Sequence, residues 1–323
     1  MIVHERVIPH YVGSSYNRPR LVEIACSDLT DLRECKPRGA QPRAGSTWTG
    51  TGTVEEFDEK VRYGWPKLER RMLGMLREVH FEEGALHQET VIKRRRTRRD
   101  LGNEIDIHRV YQGQLEQAWD ATVRQEDDAY GSKIVNLVVN IDANGWVTFE
   151  DSLWRGAVVM RLYEALSNMG KSVAVTVYDF AVGGFRERGA YSNINSMSSC
   201  RVKAHGEQLL SDKLASMVNV GFMRRYFMEH VQRSHPELEV GSGHGRATND
   251  YRVIPKAAED DLKKGGSVIV IGHCFSKSEC DKVLDQFVRQ YVRGEQPTNP
   301  TASDFRLVRG IEEIAPTAQR SEV

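Results

Sequence analysis

The residues of this chain best placed to do chemistry are Asp142-Ala143-Asn144-Gly145, which follow an apolar strand and precede a long amphipathic helix. An acidic, glycine-containing loop at the carboxyl end of a strand is where open α/β sheets place their ligand sites. Asp179, after the next apolar strand, offers a second carboxylate. The same residues also suit a structural part, in which Asp142 caps the loop and Asn144-Gly145 makes a tight turn requiring positive φ.

Other constellations compete with this one. Lys93, Arg94, Arg95, Arg96, Arg98 and Arg99 place six cations within seven residues. Such a run repels itself unless it is solvated, paired or facing a polyanion. Arginine forks match phosphate, and Tyr111 and Trp119 downstream offer stacking surfaces for a single strand. Asp100, Glu104, Asp106 and Glu126-Asp127-Asp128 offer the alternative of ion pairs. His273-Cys274, at the end of a later strand, pairs a base with a thiol that a helix N-terminus would acidify, which is the arrangement a hydrolase needs. A buried small hydrophobe is the commoner part for a free cysteine. Gly241-Ser242-Gly243-His244-Gly245 lacks the Lys-Ser/Thr ending of a phosphate-binding loop and reads as a flexible connection. His205, His230, His235 and His244 form no close ligand pair, so no catalytic residue is assigned.

The elements that must position these residues are legible from periodicity. Ile134–Ile141 is a β-branched apolar run of the kind a strand buried on both faces requires. Asp151 or Ser152 can then cap a helix whose Trp154, Ala157, Val158, Ala165, Leu166 and Met169 recur at three- and four-residue spacing, ending at Gly170. Ser172–Phe180 supplies a second strand, so a right-handed βαβ crossover is expected. Arg201–Leu210 reads as a further strand and Ser211–His230 as a single helix. Ser267–His273 is a later strand leading into a helix that Ser276 and Glu279 cap as a box and Gly294 ends. Upstream, Thr53 and Glu56 form another capping box, Gly64 closes that helix, and Pro66 opens the next, reaching about His80.

Composition excludes several classes. Lys plus Arg and Asp plus Glu each number 45, so no bulk field draws the 323-residue chain onto nucleic acid or an anionic membrane. No apolar run approaches the roughly 20 residues that span a bilayer, and the N-terminus lacks signal-peptide character, so a soluble, intracellular protein with no membrane partner is expected. The five cysteines are odd in number and lack CxxC spacing, which fits reduced thiols and excludes a disulfide framework.

Trp48-Thr49-Gly50-Thr51-Gly52-Thr53, Gly64-Trp65-Pro66, Arg94-Arg95-Arg96 with Gly102-Asn103-Glu104-Ile105-Asp106, and Asn140-Ile141-Asp142 together resemble an uncharacterised protein family of tailed-phage and prophage genomes that carries a von Willebrand factor A-like domain. The resemblance covers roughly residues 45–180, with weaker similarity to the end. It implies a viral protein acting in the cytoplasm of a bacterial host, with virion association open, and a metal-ion-dependent adhesion site. That site is usually Asp-x-Ser-x-Ser with a Thr and a further Asp from later loops. Here Asp142 and Asn144 stand in the first two positions, Trp146 occupies the second Ser position, and Asp179 is the further oxygen donor, for Mg²⁺ as a hard cation. The site is therefore a degenerate one.

The expected architecture is α/β: a doubly wound, mostly parallel sheet of von Willebrand factor A-like type over residues 132–294. An irregular α+β region, 1–131, packs on it, and an extended tail, 295–323, follows. The expected function is non-enzymatic, with the strand-end loops Asp142–Glu150 and Ala181–Ser199 presented to a protein partner. Nucleic-acid binding through residues 93–99 is the alternative, and hydrolysis at His273-Cys274 the third.

Overall fold

Strands and helices are interleaved along the chain, as in an α/β protein. In a computed structural model, residues 2–7, 20–34, 49–81, 92–99, 104–105, 107–114, 118–126, 133–187, 193–227, 235, 238–240, 246–247, 253–296, 304–310 and 314 are described. The elements are β1 (Ile2–Val7), β2 (Arg20–Cys26), α1 (Leu29–Glu34), α2 (Val54–Tyr63), α3 (Pro66–Glu78), β3 (Ile92–Arg99), β4 (Glu104–Ile105), α4 (Ile107–Tyr111) and β5 (Trp119–Glu126). They continue with β6 (Ile134–Asn140), α5 (Leu153–Asn168), β7 (Ser172–Glu187), β8 (Asn193–Lys203), α6 (Ser211–Met217), β9 (Leu238–Val240), β10 (Arg246–Ala247), α7 (Lys256–Lys263), β11 (Ser267–Ile271), α8 (Lys277–Phe287) and β12 (Phe305–Val308). The chain divides into two units, residues 1–86 with 132–323, and residues 87–131.

The larger unit carries a mixed sheet in the order β1-β2-β8-β7-β6-β11-β12, with β9 and β10 also paired to β7. Its centre is parallel, since β7 and β11 both run alongside β6 in the same direction. The flanks are antiparallel, at β7–β8, β11–β12 and β1–β2, while β2 runs parallel to β8. Thus the segment Leu21–Ala25 is hydrogen-bonded into this sheet, and the chain beyond residue 294 supplies its edge strand β12.

Both faces of the sheet are covered. Val138, Tyr178, Phe180, Met197, Val268 and Val270 meet Ala258 and Leu262 of α7 in one core. On the other face α5 packs against β6 and β7 and is itself flanked by α3, α6 and α8. A Cβ at Gly156 would lie 2.5 Å from Met72 Sδ, so the close α5–α3 approach requires glycine there. Asn136 interrupts the apolar run of β6 without an unmet polar group. Its Nδ2 donates to Asp261 Oδ2 at 2.8 Å and its Oδ1 accepts from Thr176 Oγ1 at 3.2 Å.

Three expectations are corrected. Arg201–Leu210 is no strand of its own: Arg201–Lys203 end β8, and residues 204–210 turn away from the sheet. Ala181–Ser199 is no strand-end loop: β7 runs on to Glu187, past Gly183 at φ 66°, and pairs antiparallel with β8 from Asn193, with a register shift between Ala181 and Phe185. The glycine pair absorbs a bulge and the strand continues. Ser211–His230 is likewise not one helix. α6 stops at Met217, Asn219 caps a helical turn by accepting from the Phe222 amide at 3.1 Å, and Met223–Phe227 continues as a π-helical turn.

The unit of residues 87–131 is a three-stranded antiparallel sheet, β3-β5-β4. In it Arg94 faces Arg124 and Arg96 faces Thr122 in register. Ile107 and Tyr111 on α4 are exposed.

Candidate functional site

The order of strands reverses about β6, because β7 follows it on one side and β11 is added on the other. The crevice at the carboxyl ends of such strands is formed without further help from side chains. Here the backbone entering that crevice is held by a guanidinium. Arg155, in the first turn of α5, is fully buried. Its Nη1 donates to the Asn140 carbonyl at 2.6 Å and the Asp142 carbonyl at 3.4 Å, while Nη2 donates to the carbonyls of Ile141 at 3.3 Å and Val218 at 3.0 Å. Three successive carbonyls at the end of β6 and just beyond it are thus satisfied by one rigid fork.

A second buried arginine holds the rest of the loop. Arg224, in the π-helical turn, donates from Nη2 to the carbonyls of Asn144 at 3.1 Å and Val147 at 3.0 Å. Burial brings its pKa down to about 10, which still leaves it a cation at neutral pH. Its neighbour Arg225 donates to Thr49 Oγ1 at 2.9 Å and the Thr51 carbonyl at 3.0 Å. Phe149 then packs where Gly50, at φ 83°, has no side chain. The π-helical turn therefore ties residues 141–149 to residues 49–51. Between the two carbonyls that Arg224 holds, Trp146 projects with 77% of its surface exposed.

Asp142 and Asp179 come together at the base of this loop. Both are buried, and their side chains are hydrogen-bonded to each other. Burial, the neighbouring Asp142 charge and that hydrogen bond push Asp179 well above the ordinary carboxylate range. Directly across the ladder from Asp179 is Ser198, whose buried hydroxyl has no hydrogen-bond partner among the described residues. Asn144 is exposed. The expected oxygen donors Asp142 and Asp179 are thus adjacent, with Asn144 on the same loop. Among the described residues no cluster of three His, Cys, Asp or Glu side chains suits a metal.

At the end of β11, His273 stacks on Phe275 with ring centroids 5.6 Å apart. Burial and the Arg155 charge bring its pKa down to about 4, so the imidazole is neutral at pH 7. Cys274 faces Cys280, Sγ to Sγ at 3.0 Å, and that contact together with burial pushes its thiol up. It is held as a thiol, not as the thiolate that a nucleophile requires.

The basic residues Lys93, Arg94, Arg95, Arg96, Arg98 and Arg99 lie on β3, and their side chains fall outside the described residues, as do His230 and Gly241-Ser242-Gly243-His244-Gly245. Arg155, Arg224 and Trp146 were not singled out from sequence as site residues. The available signal was an arginine inside the otherwise apolar run Leu153–Val159. No helix among the described residues is long and apolar enough to cross a membrane. A family model described as a domain of unknown function (DUF7192) matches residues 17–295, while no curated protein and no solved structure matches.

Proposed function

The chain belongs to the DUF7192 family, and from that premise we propose that it is a non-enzymatic interaction protein of von Willebrand factor A-like type, which docks a protein partner on the loop Asp142–Glu150. One observation carries the reading: Trp146 is exposed while the backbone on either side of it is fixed by the buried Arg224. An indole held out on a rigid loop loses little conformational entropy on binding, and tryptophan is among the residues enriched at interface hot spots. The strand order β8-β7-β6-β11, with an acid just past β6 at the reversal, supports the von Willebrand-like assignment. The motif likeness over residues 45–180 supports a phage origin and action inside a bacterial host.

The paired carboxyls suit a hard cation, because Asp142 and Asp179 lie side by side and the hydroxyl of Ser198, across the ladder from Asp179, has no hydrogen-bond partner among the described residues. Mg²⁺ there would be held by Asp142 and Asp179, with Asn144 near, and would offer a coordination position to a partner's carboxylate.

The test is quantitative affinity capture from a bacterial host lysate with wild type, Trp146→Ala and Asp142→Ala, each with and without Mg²⁺. Proteins enriched by wild type and lost with Trp146→Ala at unchanged melting temperature support the docking reading. Identical capture by wild type and Trp146→Ala would rule it out, and loss in Asp142→Ala only when Mg²⁺ is present would assign the cation.

A further inference from the structure

Cys274 and Cys280 are buried thiols for which the docking loop has no use. Their Sγ atoms are 3.0 Å apart, one in the turn after β11 and the other in the first turns of α8. The turn between them is already rigid. The Phe275 amide donates to Glu279 Oε2 at 2.7 Å, and the Glu279 amide donates to Ser276 Oγ at 3.4 Å. No long loop has to be closed to bring the sulfurs together.

We infer that Cys274 and Cys280 form a redox-modification site, oxidised by hydrogen peroxide to an intramolecular disulfide that braces the turn behind Arg155. One sulfur, ionised when local opening lets in water, attacks a peroxide oxygen; the O–O bond breaks, and the departing hydroxide takes up the thiol's proton as water, leaving a sulfenic acid. The second sulfur attacks the sulfenic sulfur, the S–S bond forms, the S–O bond breaks, and the oxygen leaves with the remaining protons as a second water. Two thiols are oxidised and one peroxide is reduced to two waters. Both cysteines are fully buried, so a small oxidant that enters by local opening suits the site, whereas a bulky disulfide does not.

The position of the pair gives the crosslink its consequence. Cys280 Sγ lies 3.4 Å from the Trp154 carbonyl, and the Phe275 ring lies 5.3 Å from the Arg155 guanidinium carbon. The disulfide therefore holds the Phe275 ring beneath Arg155 through the adjacent Cys274, and its formation takes away the S–H that the Trp154 carbonyl accepts. Because the Cys274 thiol is held up in pKa, its oxidation should quicken as pH rises.

The experiment treats the 323-residue protein with hydrogen peroxide at pH 7 and pH 9, quenches with catalase, denatures in N-ethylmaleimide and maps the digest by mass spectrometry. The expected result is an intact mass lower by two hydrogens, a Cys274–Cys280 linked peptide that dithiothreitol reverses, faster formation at pH 9, and a Tm raised by a few degrees. In Cys280→Ser, Cys274 should stop at a sulfenic acid trapped by dimedone. Alkylation of both Cys274 and Cys280 after peroxide, sulfinic acid at either, or a crosslink among Cys26, Cys35 and Cys200 in their place would overturn the inference. The wild-type map alone decides between these outcomes, whether or not the Cys280→Ser variant folds well.

Discussion

Arg155 Nη1 lies 2.6 Å from the Asn140 carbonyl oxygen, across 15 residues of chain, and this contact ties the start of α5 to the end of β6. The guanidinium also serves the carbonyls of Ile141, Asp142 and Val218, so its loss strands several buried acceptors at once. An unsatisfied buried acceptor costs about 1–3 kcal/mol, so Arg155→Leu should lose about 3 kcal/mol or more in urea unfolding. Arg155→Lys should recover only part of this, because an ammonium lacks the planar fork. Equal stability of wild type and Arg155→Leu would show that the carbonyls are satisfied by other means.

Trp146 separates recognition from folding. Its side chain is exposed, so Trp146→Ala should change unfolding free energy by no more than about 0.5 kcal/mol. Affinity for a captured partner should fall by about 2 kcal/mol or more, as expected of an anchor residue, measured by calorimetric titration.

His273 predicts a pH dependence whose sign follows from its lowered pKa. The folded protein resists protonation until about pH 4, whereas an unfolded histidine takes up its proton near pH 6.5. Its contribution to stability is complete above the unfolded value and is lost as pH falls from there through the folded value, with a slope of up to about 1.4 kcal/mol per pH unit. The difference between wild type and His273→Gln, measured by urea unfolding from pH 7 to pH 5, should narrow or reverse as pH falls. A constant difference would mean that the imidazole titrates normally.

Gly50 and Gly52 lie two residues apart and should respond oppositely to alanine. At Gly50, φ is 83° and a Cβ would lie 2.5 Å from Phe149 Cε2, so Gly50→Ala should destabilise by about 1–3 kcal/mol. At Gly52 the nearest atom is Glu56 Oε2 at 4.0 Å, so Gly52→Ala should be tolerated. Thermal melts of the two variants make the comparison.

What could be read from sequence depended on whether local signals and tertiary pairing agreed. Ile134–Asn140 was legible as a strand because its apolar residues are needed on both faces. The Ser276 and Thr53 caps were legible because each hydroxyl accepts a backbone amide three residues on. Ala181–Ser199 was opaque because Gly183-Gly184 reads as a break, whereas β8 supplies the pairing that carries the chain through. The run Lys93–Arg99 reads as a solvated charge cluster, yet its backbone pairs with β5 over its whole length. Within the site, Asp142 and Asp179 were visible from their places at strand ends. Arg155 was not, because nothing local shows that a helical arginine will reach back to the carbonyls of the preceding strand.

The parallel ladder between β2 and β8 sets an order of events during synthesis. Leu21 pairs with Asn195 and Cys26 with Cys200, so β2 leaves the ribosome beside β1 but long before β8 exists. Domains generally fold as units during synthesis, and non-local pairing must wait for the later strand. Until then the edge of β2 that faces β8, with Leu21, Val22 and Ile24 that end fully buried, has only β1 on its other side, so shielding by a chaperone should matter most in the interval before β8 emerges.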